Sequence, residues 1–352
     1  MSDVTTSTDD CIEVLDAHRF DEASLQRYLL EHVDGFTAPL SVQQFQGGMS
    51  NPTFKLTDGR AMNYVLRKKP PGELLPSAHA VDREYRVISA LANSGVPVPR
   101  TFALCEHEAV IGTAFYVMEH VTGRVFLDPS LPELDPAQRS AVYADKNRAL
   151  AALHSVDYAA VGLDGFGKPG EYCARQINRW AKQYLASKTD ELPDMDCLMK
   201  WLPANLPTDD PVCIAHGDYR LGNLIFANDA PTVTAILDWE LSTLGHPYAD
   251  LAYDCLAYHV PNLFRGDLAS KDLSALGIPG ESEYVEAYCK ARGLAEIPNW
   301  TFYVVLSLFR LAAITQGVYY RGLQGNASDP RALERRDNCQ RMSAIAWELA
   351  AQ

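Results

Sequence analysis

Nine consecutive residues, Ala215-His216-Gly217-Asp218-Tyr219-Arg220-Leu221-Gly222-Asn223, constrain this chain more than any other stretch. The β-prone run Val212-Cys213-Ile214 leads into them and Leu224-Ile225-Phe226 leads out, while Val233 to Leu237 returns and ends on Asp238. A polar loop held between short strands carries Asp218, Asn223 and Asp238 to one edge of a small hairpin. That set of hard-oxygen side chains suits Mg²⁺, which takes few protein ligands and fills its other positions with water or phosphate oxygens.

Bulk properties narrow the chemistry around the loop. At 352 residues the chain can bury a sizeable core, as one large domain of two lobes or as two domains. Its net charge of -14 is a poor match to nucleic acid, whose phosphates call for a basic surface. A small molecule is the expected partner. The eight cysteines are scattered without a Cys-x-x-Cys pair, so neither a zinc site nor a disulfide framework is indicated, and a reducing compartment follows. The N-terminus is acidic and Ser/Thr-rich rather than basic and then apolar, unlike a signal peptide. The apolar run Phe302 to Ile314 is too short to span a bilayer and carries Arg310, so no membrane segment is expected and the expected location is cytoplasmic.

Pattern divides the chain into an α+β arrangement of two lobes. Residues 1–20 read as a loose tail. Residues 21–120 form a β-rich lobe: a helix over Asp21 to Val33, then strands at Ser41 to Phe45, Thr53 to Leu56 and Asn63 to Arg67 with a turn at Asp58-Gly59. A helix over Ala80 to Asn93 and strands at Phe102 to Cys105 and Phe115 to Met118 complete a five-stranded antiparallel sheet. Residues 121–352 are mostly helical, with segments at Pro136 to His154, Glu171 to Lys188, Glu281 to Arg292, Thr301 to Gly322 and Pro330 to Leu349. Only the hairpin around the opening loop interrupts them.

The spacing His-x-Asp-x-x-x-x-Asn with a later strand-end Asp is that of a kinase catalytic loop: Asp218 the catalytic base, Asn223 and Asp238 the metal residues. His216 reads as a brace for the loop. Gly47-Gly48-Met49-Ser50-Asn51 sits where a phosphate-covering hairpin belongs, with glycines for close backbone approach and Gly47, Gly48, Ser50 and Asn51 as contacts. Tyr64-Val65-Leu66-Arg67 has the form of the third strand, with Arg67 as the phosphate-binding base and Lys68 as its competitor on the opposite face. Glu84 is placed to pair with that base, and Glu119 and Val121 stand where a hinge presents backbone groups to adenine. Asp250 reads as the N-cap of the helix after Gly245-His246-Pro247 and as a second brace.

Bland readings compete with each of these. Asp and Asn cap turns commonly, and a charged strand end is often simply solvated. Arg175, Arg179 and Lys182 on one helical face read as a solvated stripe. Arg310 inside an apolar helix needs a partner, either an acidic substrate group or an internal carboxylate. Gly162 to Lys168 matches Gly-x-x-x-x-Gly-Lys, but Pro169 stands where a phosphate loop needs Ser or Thr. A nucleotide-binding regulator without transfer activity, and a metal-dependent hydrolase using His216, Asp218, His246 and Asp250, are the alternatives from other classes.

On Gly47 to Asn51, Tyr64 to Lys68, Glu84, His216 to Asn223, Asp238-Trp239-Glu240 and His246 to Ala252, the chain resembles the aminoglycoside phosphotransferase family, over roughly Asp34 to Tyr258. The resemblance implies a protein-kinase-like fold, ATP and Mg²⁺ as cofactors, and transfer of the γ-phosphate to a small-molecule hydroxyl. More narrowly, Arg67 to Gly72, Ala80 to Tyr85, Leu308 to Ala312 and Gln316 to Tyr319 resemble the kinase-like branch associated with acyl-CoA dehydrogenases. Some members of that branch phosphorylate hydroxyacyl-CoA compounds such as 4-hydroxyacyl-CoA, which implies a functional association with a dehydrogenase. Arg67 in place of lysine is the main departure from the family pattern.

Overall fold

The structure is a computed structural model that describes residues 5–7, 10–45, 51–70, 80–262, 266–327 and 331–352. It divides into two compact units. The first comprises residues 1–126, 159–163 and 222–242; the second comprises 127–158, 164–221 and 243–352. The chain passes from the second unit to the first between Leu221 and Gly222, inside the polar loop, so the hairpin that the sequence assigns to residues 121–352 belongs with the β-rich unit.

The first unit is built on a six-stranded antiparallel sheet, one strand more than the sequence predicts. Strands β3 (Ser41–Phe45), β4 (Thr53–Thr57) and β5 (Asn63–Lys68) pair in succession, β5 pairs with β7 (Phe115–Glu119), and β7 pairs with β6 (Thr101–Cys105). The sixth strand is β2 (Cys11–Ile12), which pairs with Gln44 and Phe45 at the open edge. The tail also supplies β1 (Thr5–Ser7), which pairs with β8 (Arg124–Phe126). Two or three residues show no readable alternation, so pairing to a distant edge, not local pattern, orders this tail.

Strand β5 is central and loaded on both faces. Leu66 joins Leu25 and Leu29 of α1 (Glu22–His32), Phe54 and Phe115 in one apolar core. Lys68 shares the Leu66 face by the two-residue period, with its ammonium 5.4 Å from the Phe20 ring and 5.7 Å from that of Phe54. Arg67 therefore takes the other face. There α2 (Val81–Leu91) buries Val81, Glu84, Val87, Ile88 and Leu91. The helix starts and strands of this lobe match the expected positions to within a few residues, and Asp21 caps α1 by accepting the Ser24 N–H.

A second ladder in this unit joins β8 to β10 (Leu224–Phe226), and β10 to β11 (Val233–Ile236). Gly123 permits it: a Cβ there would lie 2.3 Å from the Phe226 carbonyl oxygen.

The second unit is helical, with a two-stranded ribbon of β9 (Cys213–Ala215) and β12 (Thr243–Gly245). Asp135 opens α3 (Pro136–Ser155) with a capping box to Gln138. Helices α4 (Tyr172–Ser187), α5 (Pro193–Ala204) and α6 (Pro247–Asp254) follow, then the short α7 (Leu273–Leu276), α8 (Glu281–Arg292), α9 (Trp300–Leu323) and α10 (Asn338–Ala350). Helix α5 has no counterpart among the sequence expectations. Helix α9 runs past the Phe302 to Ile314 run to 24 residues, long and apolar enough by length and composition to cross a membrane, but 78% of its most apolar window is buried inside the fold. It is the hub of this unit's core, with α4, α6 and α10 packed against it.

Candidate active site

In the second unit the loop leaves β9 and turns at Gly217, whose φ of 85° is a left-handed value that glycine adopts without strain. Buried Asp250 holds the turn. Its carboxylate accepts the His216 N–H at 2.7 Å and the Gly217 N–H at 2.8 Å. The same carboxylate takes a third hydrogen bond, from buried His154 at 3.1 Å. An acceptor-only partner at Nε2 fixes the proton there, so Nδ1 accepts from the Tyr288 hydroxyl at 2.7 Å. Burial alone would push the Asp250 carboxyl up, but the His154 bond and the loop amides outweigh it and hold it below the usual range. Burial likewise keeps His154 below its ordinary value.

Asp250 is not the helix cap that the sequence predicts. It lies inside α6, and His246 is the N-cap, its Nδ1 accepting the Tyr248 N–H at 3.3 Å. A histidine cap has no sequence signature as plain as that of aspartate, which explains the misplacement. Burial pushes His246 down to about 4. His216 is fully buried and accepts the Asp218 N–H at 3.2 Å. The Tyr219 hydroxyl donates to the Lys146 carbonyl at 2.7 Å, and Arg310 donates to the Gly217 carbonyl at 2.7 Å. Asp218 itself lies 3.3 Å from the Arg220 guanidinium and shares a hydrogen bond with the Tyr253 hydroxyl.

In the first unit, Arg67 gathers three carboxylates. Its Nε lies 2.9 Å from Glu84, and its Nη2 lies 2.7 Å from Asp238 and 3.8 Å from Glu240. Glu84 is buried and also accepts from Asn51 at 2.9 Å and from the Tyr116 hydroxyl at 3.0 Å. Burial raises the Glu84 carboxyl to about 7, with Arg67 opposing and the neighbouring Asp238 adding to the rise. Asp238 sits at φ 65° just before a short 3-10 turn, anchored by the Trp239 indole donating to the Ile236 carbonyl at 2.9 Å. The Leu237 N–H donates to the Asn223 carbonyl at 2.8 Å, which brings the ends of β10 and β11 together.

Other expected residues stand differently. Asn51 is fully buried, and its side-chain amide donates to Glu84. Gly47, Gly48 and Ser50 lie outside the described residues, as does Pro71-Gly72. The Glu119 N–H is already engaged, donating to the Arg100 carbonyl at 2.7 Å. Arg175 is tied to the carbonyls of Lys168 and Gly170, so the stripe with Arg179 and Lys182 is not uniformly solvated. Tyr116, His154 and Tyr253 were invisible to motif spacing, because each joins the site from a distant element. All eight cysteines are free. Among the described residues no group of three or more His, Cys, Asp and Glu is placed to hold a metal ion.

The profile of the phosphotransferase enzyme family matches residues 41–299, more than half of the chain. Acyl-CoA dehydrogenase family member 10 of Mus musculus is 49% identical over 321 residues, 90% of this chain and 30% of that protein. This chain spans between 30% and 45% of the length of the curated relatives that it matches. The crystal structure of a "putative aminoglycoside phosphotransferase" from Ralstonia eutropha JMP134 is 49% identical, with a TM-score of 0.88 over 95% of this chain and 99% of that one. A thermostable mutant of aminoglycoside phosphotransferase APH(4)-Ia, solved with AMP-PNP and hygromycin B, shares the fold at 16% identity, with a TM-score of 0.58 over 92% of this chain and 98% of that one. This chain belongs to the phosphotransferase enzyme family, with a kinase-like fold.

Proposed function

We propose that this protein is an ATP-dependent phosphotransferase that moves the γ-phosphate to a hydroxyl of a small molecule. The observation that carries the reading is Arg67 bridging Glu84 at 2.9 Å and Asp238 at 2.7 Å. A strand-borne base paired to a helix glutamate and to the metal aspartate is what phosphoryl transfer requires of this fold.

Asn223 and Asp238 fit Mg²⁺. Both offer hard oxygens, and the Asp238 side chain is 40% exposed with one oxygen beside Arg67 and the other free of it. The bound ion would supply charge neutralisation at the phosphates. Arg67 contributes a planar fork for phosphate oxygens, and Glu84 fixes the direction of that fork. Asp218 orients the acceptor hydroxyl and takes its proton as the oxygen attacks the γ-phosphorus; the bond to the β-phosphate oxygen breaks and ADP leaves. The AMP-PNP complex of a fold neighbour supports ATP as donor. Relatives named for acyl-CoA dehydrogenases support a hydroxyacyl-CoA acceptor and an association with a dehydrogenase. A cytoplasmic location accords with this reading.

The test is incubation with Mg-ATP and a metabolite panel that includes hydroxyacyl-CoAs, read as a mass gain of one phosphate. Asp218→Ala should lower turnover at least about a thousandfold while ATP still binds. Wild-type turnover in that variant on the phosphorylated acceptor would end the assignment.

A further inference from the structure

Arg310 forms no ion pair among the described residues although it stands inside an apolar helix. It interrupts α9 between buried Phe309 and Leu311. Its guanidinium lies 4.7 Å from the Tyr253 ring and 5.7 Å from the Trp180 ring, in a slot walled by α6 and α4. Among the described residues it forms one hydrogen bond, to the Gly217 carbonyl, and no ion pair, although the chain carries a net charge of -14. Its Nε is buried with no acceptor among those residues. No carboxylate among the described residues lies within ion-pair distance of it.

The contrast with Arg220 is local. Arg220 is paired with Asp218 at 3.3 Å. Arg310, bonded to the residue before Asp218, is not paired. Tyr253 joins the two sites, its hydroxyl on Asp218 and its ring against Arg310. Arg310 thus stands on the same loop turn and the same tyrosine as the carboxylate that an acceptor hydroxyl would meet. A guanidinium with free in-plane donors is best matched by a carboxylate, and aromatic walls strengthen that match by excluding water.

We propose that the Arg310 guanidinium, set between Tyr253 and Trp180, is the docking point for a carboxylate carried by the hydroxyl acceptor. The inference rests on the phosphotransferase reading and narrows its substrate class to hydroxy acids that present a free carboxylate, in place of polycations and of a hydroxyacyl-CoA, whose thioester carries no such charge. Arg310 also steadies the Gly217 carbonyl, so a test must separate charge recognition from loop support.

The experiment compares hydroxy acids, with the hydroxyl one to four carbons from the carboxylate, against their primary amides and a polycationic aminoglycoside. In the wild type, kcat/KM should favour the best acid over its amide by about thirtyfold or more, the expected cost of covering that half-buried charge without pairing it. Arg310→Gln should bring that ratio close to one, chiefly through KM for the acid. Arg310→Lys, which keeps the charge and loses the fork, should restore part of it. Loop support alone predicts equal losses on acid and amide, and that result overturns the proposal. So does a wild type that prefers amide or aminoglycoside, which needs no folded variant to observe. Equilibrium dialysis with the labelled acid separates the two readings. Retention by wild type and not by Arg310→Gln, with no phosphate transferred, keeps the docking point and removes the phosphotransferase; equal retention removes the docking point.

Discussion

Two buried polar clusters, one in each unit, solve opposite problems. Around Asp250 every strong bond goes inward: two loop amides and one histidine converge on a carboxylate held below its usual range despite full burial. Around Arg67 one cation faces three carboxylates, one of them 40% exposed and another raised to about 7. The first cluster has its partners and fixes a backbone. The second sets a guanidinium among carboxylates, a charged group that phosphate and a divalent ion would engage. Rigidity belongs at the base and exchangeable charge belongs at the nucleotide.

The largest effect should come from breaking the rigid cluster. Asp250→Ala strands two loop N–H groups and the His154 N–H inside the fold, at an expected loss of about 3–5 kcal/mol of stability. Turnover should fall in parallel, because Asp218 rides on that turn. Asp250→Asn keeps one acceptor and should lose roughly half as much. Denaturant unfolding monitored by circular dichroism measures both; an unchanged midpoint for Asp250→Ala would mean that the carboxylate does not hold the loop.

A milder and pH-dependent effect should mark the exchangeable cluster. The Glu84 carboxyl moves from an ordinary 4.5 to about 7 on folding. Between those values the folded protein keeps a proton that the unfolded chain has released, so this group lowers stability as pH rises through that window. Activity should run the other way. The pair with Arg67 needs the carboxylate, so kcat/KM for ATP should climb with pH through about 7 and level off above it. His246, lowered from 6.5 to about 4, adds a slope of opposite sign over that lower range, since its unfolded form takes up the proton first. Subtracting the Glu84→Gln profile from wild type removes that shared slope. An acid limb that survives intact in Glu84→Gln would assign it to another group.

The same contrast shows what the sequence could disclose. The loop, the third strand and the α2 glutamate lie in contiguous or regularly spaced patterns, so Asp218, Asn223, Asp238, Arg67 and Glu84 are readable as candidates and the two-lobed architecture follows from period alone. Residues that serve by reaching across the fold are not readable. His154 meets Asp250 across 96 positions, and Tyr116 meets Glu84 across 32. Asn51 has a partner that spacing does not disclose, since its amide donates to Glu84 across 33 positions. Helix α5 was hidden because prolines stand at its start and near its end, at Pro193 and Pro203.

The smallest expected effect is also the sharpest divider between neighbouring residues. Lys68 and Arg67 are adjacent bases that the sequence cannot rank, and the pleat sends them to opposite faces. Lys68 lies over two phenylalanine rings in the α1-facing core, where burial lowers its ordinary affinity for a proton. Methionine fills nearly the same volume with a polarizable chain, so Lys68→Met should change stability by less than about 1.5 kcal/mol. KM for ATP should stay within about twofold, since that face holds no phosphate partner, whereas Arg67→Met should raise it at least about tenfold through loss of a charge-assisted fork. Its stability cost should be modest, because Glu84 can take up a proton once the arginine is gone. A tenfold rise in KM for Lys68→Met, with Arg67→Met near wild type, would exchange the two assignments and make the arginine cluster a structural brace like that around Asp250.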